Sequence, residues 1–167
     1  MIILVMGVSG CGKSTVGKLL AKKLSYSFLE GDELHPQVNL IKMQNGIPLT
    51  DKDRIPWLKK ITIKSQETIN KGSGVVIACS ALKYEYRTLL LNNLGKKQLV
   101  YLSGSIETIK ERIQKRTHFM PIQLLESQFA ILEPPSEEEK PITIDISYSL
   151  KKSISTIVMK LNNLHSF

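Results

Sequence analysis

The chain has 167 residues, with 23 lysines and arginines against 15 aspartates and glutamates, a formal charge of +8. At 42% hydrophobic and 23% charged residues it has an ordinary globular composition, which excludes whole-chain disorder and makes one domain over 1–167 the expected count. The aliphatic runs Ile2 to Met6 and Val75 to Cys79 fall far short of the ~20 residues that cross a bilayer, no secretory leader pattern opens the chain, and two distant cysteines indicate neither zinc nor a disulfide framework, so a reducing cytoplasm fits best.

Residues 2–6 (IILVM) predict a fully buried strand, a short aliphatic run ending at a glycine. Residues 13–24 follow with Val16, Leu19, Leu20 and Leu24 at helical spacing and Lys18, Lys22 and Lys23 off that face. A short strand over Ser27 to Leu29 leads into EGDELHP. Thr50 before Asp51 and Asp53 reads as the N-cap of a helix reaching about Lys71, with Pro56 a potential break. Residues 74–79 (GVVIAC) predict a second buried strand, then a helix from about Tyr84 to Leu94 stopped by Gly95. Leu99 to Leu102 is a third strand, and residues 105–116 predict a charged helix with Ile106, Ile109 and Ile113 inward. Residues 117–140 break the alternation with Pro121, Pro134, Pro135 and the acidic run Glu137 to Glu139, which reads as a helical lid insertion with a flexible exit. A last strand (Ile142 to Ile146) and an amphipathic helix close the chain. Alternating strands and helices argue for an α/β fold, a parallel sheet covered by helices on both faces.

The strongest chemical signal is GVSGCGKST, residues 7–15, which satisfies G-x-x-x-x-G-K-[ST] between a buried strand and a helix. There the loop N–H groups of Gly7, Val8, Ser9, Gly10, Cys11 and Gly12 and the positive helix end, with Lys13, Ser14 and Thr15, are aimed at a di- or triphosphate. Glycines let the phosphates approach, Lys13 reaches the β- and γ-phosphates, and the Ser14 hydroxyl sits on Mg²⁺. Cys11 has two readings: a thiol acidified by that field, or a small buried filler. Asp32 stands just past a strand end, where a carboxylate can orient or deprotonate an attacking hydroxyl, hold a metal-bound water, or simply cap a turn. His35 beside Pro36 is a turn residue or a ligand. Arg54, Lys83 and Arg87 are cations near predicted helix starts, where dipole compensation favours acids, a hint of anion binding. Arg112 and Arg116 share one helix face and can clamp a phosphate or stack on a base, or pair with Glu107 and Glu111 at the surface. Trp57 reads as packing rather than a stacking platform, and spacing alone assigns nothing to His118 or Gln128.

With GVSGCGKST, GDELHP, DRIPWL, CSALKYEYR and HFMPIQLLESQFAILEPP in that order, nearly the whole chain resembles the gluconate kinases (gluconokinases), small relatives of adenylate and shikimate kinases. The resemblance implies a P-loop kinase fold in three layers on a five-stranded sheet, with 117–140 as a mobile lid within one domain and commonly a homodimer. The implied reaction moves the γ-phosphate of ATP, with Mg²⁺, to the 6-hydroxyl of D-gluconate. On it, Asp32 faces the acceptor hydroxyl, while His35, Arg54, Arg87 and Gln128, with Lys83 and His118 in the same blocks, contact the sugar acid. Arg112 and Arg116 become the nucleotide and phosphate clamp. RTHFMP is one residue shorter than the family's usual run, which carries a glycine before the His, so the role of His118 stays open.

Other classes fit less well. Another small acceptor (shikimate, a nucleotide, a different sugar acid) is the nearest rival. A GTP-dependent switch needs D-x-x-G, which is absent, and N-K-x-D, whereas Asn70-Lys71 is followed by Gly72-Ser73. The basic residues lie in scattered pairs and aromatics are only 6%, which argues against a nucleic-acid module.

Overall fold

All five side chains of β1 (Ile2–Met6) are buried, because alternate residues feed opposite faces of a sheet that is covered on both sides. The computed structural model describes residues 1–92, 95–114 and 122–164. Around β1 lie β2 (Ser27–Glu30), β3 (Val75–Ala78), β4 (Lys97–Ser103) and β5 (Ile142–Asp145), in the order β2-β3-β1-β4-β5. Every pairing is parallel, with Leu4 opposite Ile77 on one side and Leu99 on the other.

Ile3 and Val5 point into a core built with α1 (Lys13–Leu24), α5 (Ile106–Gln114), α6 (Ile122–Ile131) and α7 (Leu150–Leu164), through Val16, Leu20, Ile109, Ile113, Leu125, Ile157 and Leu161. Ile2, Leu4 and Met6 point the other way, onto α3 (Asp51–Asn70) and α4 (Tyr84–Leu91), meeting Trp57, Leu58, Ile61, Tyr86 and Leu90. This is the expected three-layer fold on five parallel strands, and each fully buried aliphatic side chain in it contributes about 1.5–3 kcal/mol. No helix among the described residues is long and apolar enough to cross a membrane.

Helix α3 is entered through a capping box: the Asp53 N–H donates to the Thr50 hydroxyl and the Thr50 N–H donates to Asp53 Oδ2 at 2.8 Å. Pro56 does not break it, since Trp57, Leu58 and Ile61 anchor the turns that follow in the core. Helix α4 ends at Leu91, short of the expected Leu94, because Asn92 turns extended; residues 93 and 94 lie outside the described residues.

Helix α2 (Gln37–Gln44) was not expected from the sequence. Its polarity is inverted: Asn39 is 1% exposed, whereas Val38 and Ile41 are 56% and 49% exposed. A helix that buries its amide and turns aliphatic side chains to solvent gives no usable apolar stripe.

The segment after α6 differs from the flexible exit that its prolines and acidic run suggest. Glu133 N–H donates to Leu82 O at 2.9 Å, Glu133 Oε2 accepts from the Tyr84 N–H at 2.7 Å, and the buried Gln98 amide donates to Lys140 O at 2.9 Å. Residues 133–140 are thereby pinned to the start of α4 and to β4.

Candidate active site

The loop of residues 7–12 joins β1 to α1 at the carboxyl edge of the sheet, where open α/β sheets bind ligands. Gly10 and Gly12 have φ of 84° and 102°, values that L side chains rarely adopt. Crowding behind the loop adds a second demand: a Cβ at Gly10 would lie 2.7 Å from Ile113 Cγ1, and one at Gly7 would lie 2.8 Å from Leu102 O. A Cβ at Gly12 would meet nothing within 4 Å, so that side is open. Gly7 and Gly10 are thus required by backbone angle and by packing from the rear, in addition to the open approach expected for phosphate.

Lys13, 7% exposed, donates from Nζ to Val8 O at 3.0 Å, and no carboxylate among the described residues pairs with it. A buried ammonium with one neutral acceptor is an unsatisfied cation. Around it are the free amides of the α1 start, where the first turn carries no acid. The half-buried Ser14 hydroxyl has no partner among the described residues, and Thr15 is exposed. Val8 is buried and serves the loop only through its main chain. Cys11, 2% exposed, packs in the core and at the same time lines the small recess beside the loop. The second thiol, Cys79, is pushed up to about 12 by burial, with Asp32 adding to it.

Arg112 donates to Ile146 O rather than to Glu107 or Glu111. With Gly12, Thr15 and Tyr148 it lines a recess of about 200 Å³ beside the loop. Arg116 and His118 lie outside the described residues.

A larger cavity of about 500 Å³ opens on the other side of the loop. Asp32, in a 3-10 turn over Gly31–Leu34 at the end of β2, lines it with His35, Leu40 and Met43 of α2, Arg54 and Trp57 of α3, Ser80 after β3, Ser9, and Ser127 and Gln128 of α6. The His35 ring stacks on Trp57 at 3.9 Å between centroids and 16° between planes, and Trp57 Nε1 donates to Gly31 O at 2.7 Å. Trp57 is thus both core and platform. Burial pushes the His35 pKa down from 6.5, with Asp32 opposing and Arg54 assisting, so the imidazole is neutral at physiological pH. Arg54 has no carboxylate partner among the described residues; its guanidinium carbon stands 6.0 Å from the Tyr86 ring centroid. Gln128 bridges the two halves of the site, accepting from Ser9 N–H at 2.7 Å and donating to Ser9 Oγ at 2.9 Å.

Two expected acceptor contacts are not brought to this cavity. Arg87, 2% exposed, forms a two-point pair with Glu139 at 2.5 and 2.8 Å and donates to Leu82 O and Glu133 O at 3.2 and 3.0 Å. Its fork is fully used in pinning residues 133–139. Lys83 donates to both oxygens of Asp51 at 2.9 and 2.8 Å, and the Tyr86 hydroxyl donates to the same carboxylate, which ties the starts of α3 and α4 together. Sequence reasoning also missed Asn39, Ser80 and Ser127. The only signal for Asn39 was a lone amide amid VNLI, four positions after His35.

A family model described as shikimate kinase matches residues 9–156. A probable gluconokinase of Mus musculus is 43% identical over 96% of this chain and 97% of its own. The crystal structure of a gluconokinase from Sinorhizobium meliloti 1021 superposes with a TM-score of 0.84 at 41% identity, covering 98% of this chain and 94% of that one. A shikimate kinase from Bacteroides thetaiotaomicron, over 97% of this chain and 98% of its own, has a TM-score of 0.68 but only 16% identity, a likeness of fold alone. The chain thus shares its fold with small ATP-dependent phosphotransferases, and among them it belongs to the gluconokinase family.

Proposed function

We propose that the protein transfers the γ-phosphoryl group of ATP to the 6-hydroxyl of D-gluconate, giving 6-phospho-D-gluconate and ADP. The observation that carries this is the charge of the acceptor cavity: among the described residues, one carboxylate, Asp32, and one guanidinium without an ion-pair partner, Arg54, beside Ser9 of the phosphate loop. A sugar acid has the complementary ends. Its carboxylate takes Arg54, its terminal hydroxyl takes Asp32, and its middle hydroxyls face the imidazole of His35 and the amide of Gln128.

Lys13 then neutralises charge on the transferring group, the largest single contribution in such sites, because a dry, preorganised cation needs no reorganisation. Asp32 accepts the hydroxyl proton as the new O–P bond forms and the bond to ADP breaks. The Ser14 hydroxyl, without a partner among the described residues, suits Mg²⁺, an ion that takes few protein ligands beside phosphate oxygens and waters; no group of three or more His, Cys, Asp or Glu among the described residues builds a cage of its own. When bound, the ion supplies charge neutralisation across the phosphates. Thr15 and Arg112, beside the smaller recess, face the nucleotide. Within a single kinase domain, residues 117–140 are the lid insertion and its pinned exit: α6, held to the loop by Gln128 and to α5 by the Lys110–Glu126 pair at 2.9 Å, covers the reacting centre and excludes water. Arg116, just before this segment, keeps the phosphate-clamp role that the resemblance implies, and the role of His118 stays open.

Coupled ADP release, measured with Mg·ATP against D-gluconate, other aldonates, shikimate and nucleoside monophosphates, tests the assignment. D-gluconate gives the highest kcat/KM; an equal or higher value for shikimate or AMP overturns it.

A further inference from the structure

The acceptor cavity contains a polar device that its lining residues alone do not reveal. Asn39 is almost wholly buried, and its Nδ2 faces two groups: the main-chain oxygen of Asp53 at 3.0 Å and Nδ1 of His35 at 3.3 Å. A carbonyl oxygen can only accept, so the atom facing Asp53 O is the amide nitrogen and not the amide oxygen. That nitrogen has two hydrogens. One goes to Asp53 O, and the other meets His35 Nδ1, which must therefore be a lone pair. A neutral imidazole with an unprotonated Nδ1 carries its proton on Nε2. The ring plane is fixed independently by the stack on Trp57.

We propose that Asn39 is a positioning residue for phosphoryl transfer, holding His35 in the tautomer that donates from Nε2 to the acceptor molecule. The inference rests on the reading of His35 as an acceptor contact. Its chemical consequence is a division of labour. Nε2–H can only donate, so His35 orients a substrate oxygen and cannot take the hydroxyl proton at that nitrogen, leaving Asp32 as the proton acceptor. The charged groups acting on His35 agree with a neutral ring: Asp32 from the turn at the end of β2 favours protonation, while Arg54 from α3 and burial oppose it. The same Asn39 bond to Asp53 O ties α2 to the first turn of α3, so one buried amide sets both the wall of the cavity and the tautomer inside it.

The test begins with the wild-type protein labelled with ¹⁵N-histidine, without nucleotide or acceptor, in long-range ¹H–¹⁵N spectra near neutral pH, with His35→Gln identifying the resonances. The expected pattern is an unprotonated Nδ1 and a protonated Nε2; a protonated Nδ1 overturns the proposal without any Asn39 variant having to fold. Asn39→Ala mixes the two tautomers, and Asn39→Asp, an acceptor in the same place, moves the proton to Nδ1. In kinetics, Asn39→Ala raises the acceptor KM about five- to tenfold, the scale of one hydrogen bond, while the KM for ATP stays unchanged. In a His35→Gln background, where the side-chain amide supplies a donor near Nε2 without a tautomer to choose, the same change adds less than about twofold. Equal effects in both backgrounds would mean that Asn39 acts through α2 and not through His35, which overturns it. The spectra are read without acceptor, so a wrong assignment of the substrate would leave them unaltered.

Discussion

Lys13 is held in a setting that favours an anionic ligand. Its ammonium is buried against one carbonyl with no counter-charge among the described residues, which nucleotide phosphate would supply. Lys13→Met should lower kcat by about 10²–10³, and the thermal midpoint without nucleotide should not fall, since a buried unpaired charge is removed. Calorimetry alongside steady-state kinetics checks both halves. Asp32→Asn keeps the shape of the acceptor side but loses the proton acceptor, so kcat should fall by roughly 10²–10⁴ with the KM for ATP nearly intact. Arg87 behaves in the opposite way to a substrate-binding arginine. Burial alone pushes Glu139 up, but the Arg87 hydrogen bond, with the Ser136 N–H, brings it below its ordinary 4.5. A depressed carboxylate contributes stability that is present above its unfolded value and lost as pH falls through the folded one. Arg87→Ala should therefore cost about 3 kcal/mol at pH 7 in denaturant unfolding, and less at acid pH where Glu139 is protonated. A raised acceptor KM with unchanged stability would return Arg87 to the acceptor.

At the scale of elements, α2 is the piece whose placement matters most and whose own sequence says least. Two bonds to Asp53 hold it: Lys42 Nζ to Oδ1 at 2.7 Å, and the Asn39 amide to the main-chain oxygen. Lys42 and then the Thr50 capping bonds hold the Asp53 carboxyl down at about 2, against an ordinary 3.8. The tie is thus complete above the ordinary value and lost only as pH falls through about 2. Asp53→Asn should raise the acceptor KM while leaving the KM for ATP unchanged, and the wild-type acceptor KM should show no inflection from this pair at any pH where the enzyme works. Kinetics across pH 5–9 decide it. Helices with an apolar stripe and a cap were legible, α1 from Val16 and Leu20, and α3 from Thr50 and Asp53. Helix α2 was not, because Val38 and Ile41 face solvent and Asn39 faces inward. The flexible exit inferred from Pro134, Pro135 and the acidic run was misleading for a related reason: its order comes from Leu82, Tyr84 and Arg87, distant in sequence.

For the molecule as a whole, the phosphate loop and its buried lysine predict strong ligand-linked stability. At a nucleotide concentration 100 times its Kd, binding adds about 2.7 kcal/mol, which for a domain of this size raises Tm by roughly 5–10 °C. Lys13→Met should largely abolish that shift, and a scan with and without ATP measures it.

The sequence by itself determined the sheet and the nucleotide side. Aliphatic runs such as IILVM can be satisfied only inside a covered parallel sheet, and GVSGCGKST is contiguous, so its geometry follows from local φ and helix polarity. Only the tertiary structure decided the acceptor side. Asp32, His35, Asn39, Arg54 and Gln128 come from four separate segments, and whether a cation is free or already paired depends on what the fold puts next to it. Arg54 and Arg87 look alike in sequence, each near a helix start. Glu139 reaches Arg87 and no carboxylate among the described residues reaches Arg54, and on the proposed function that difference separates a binding residue from a strut.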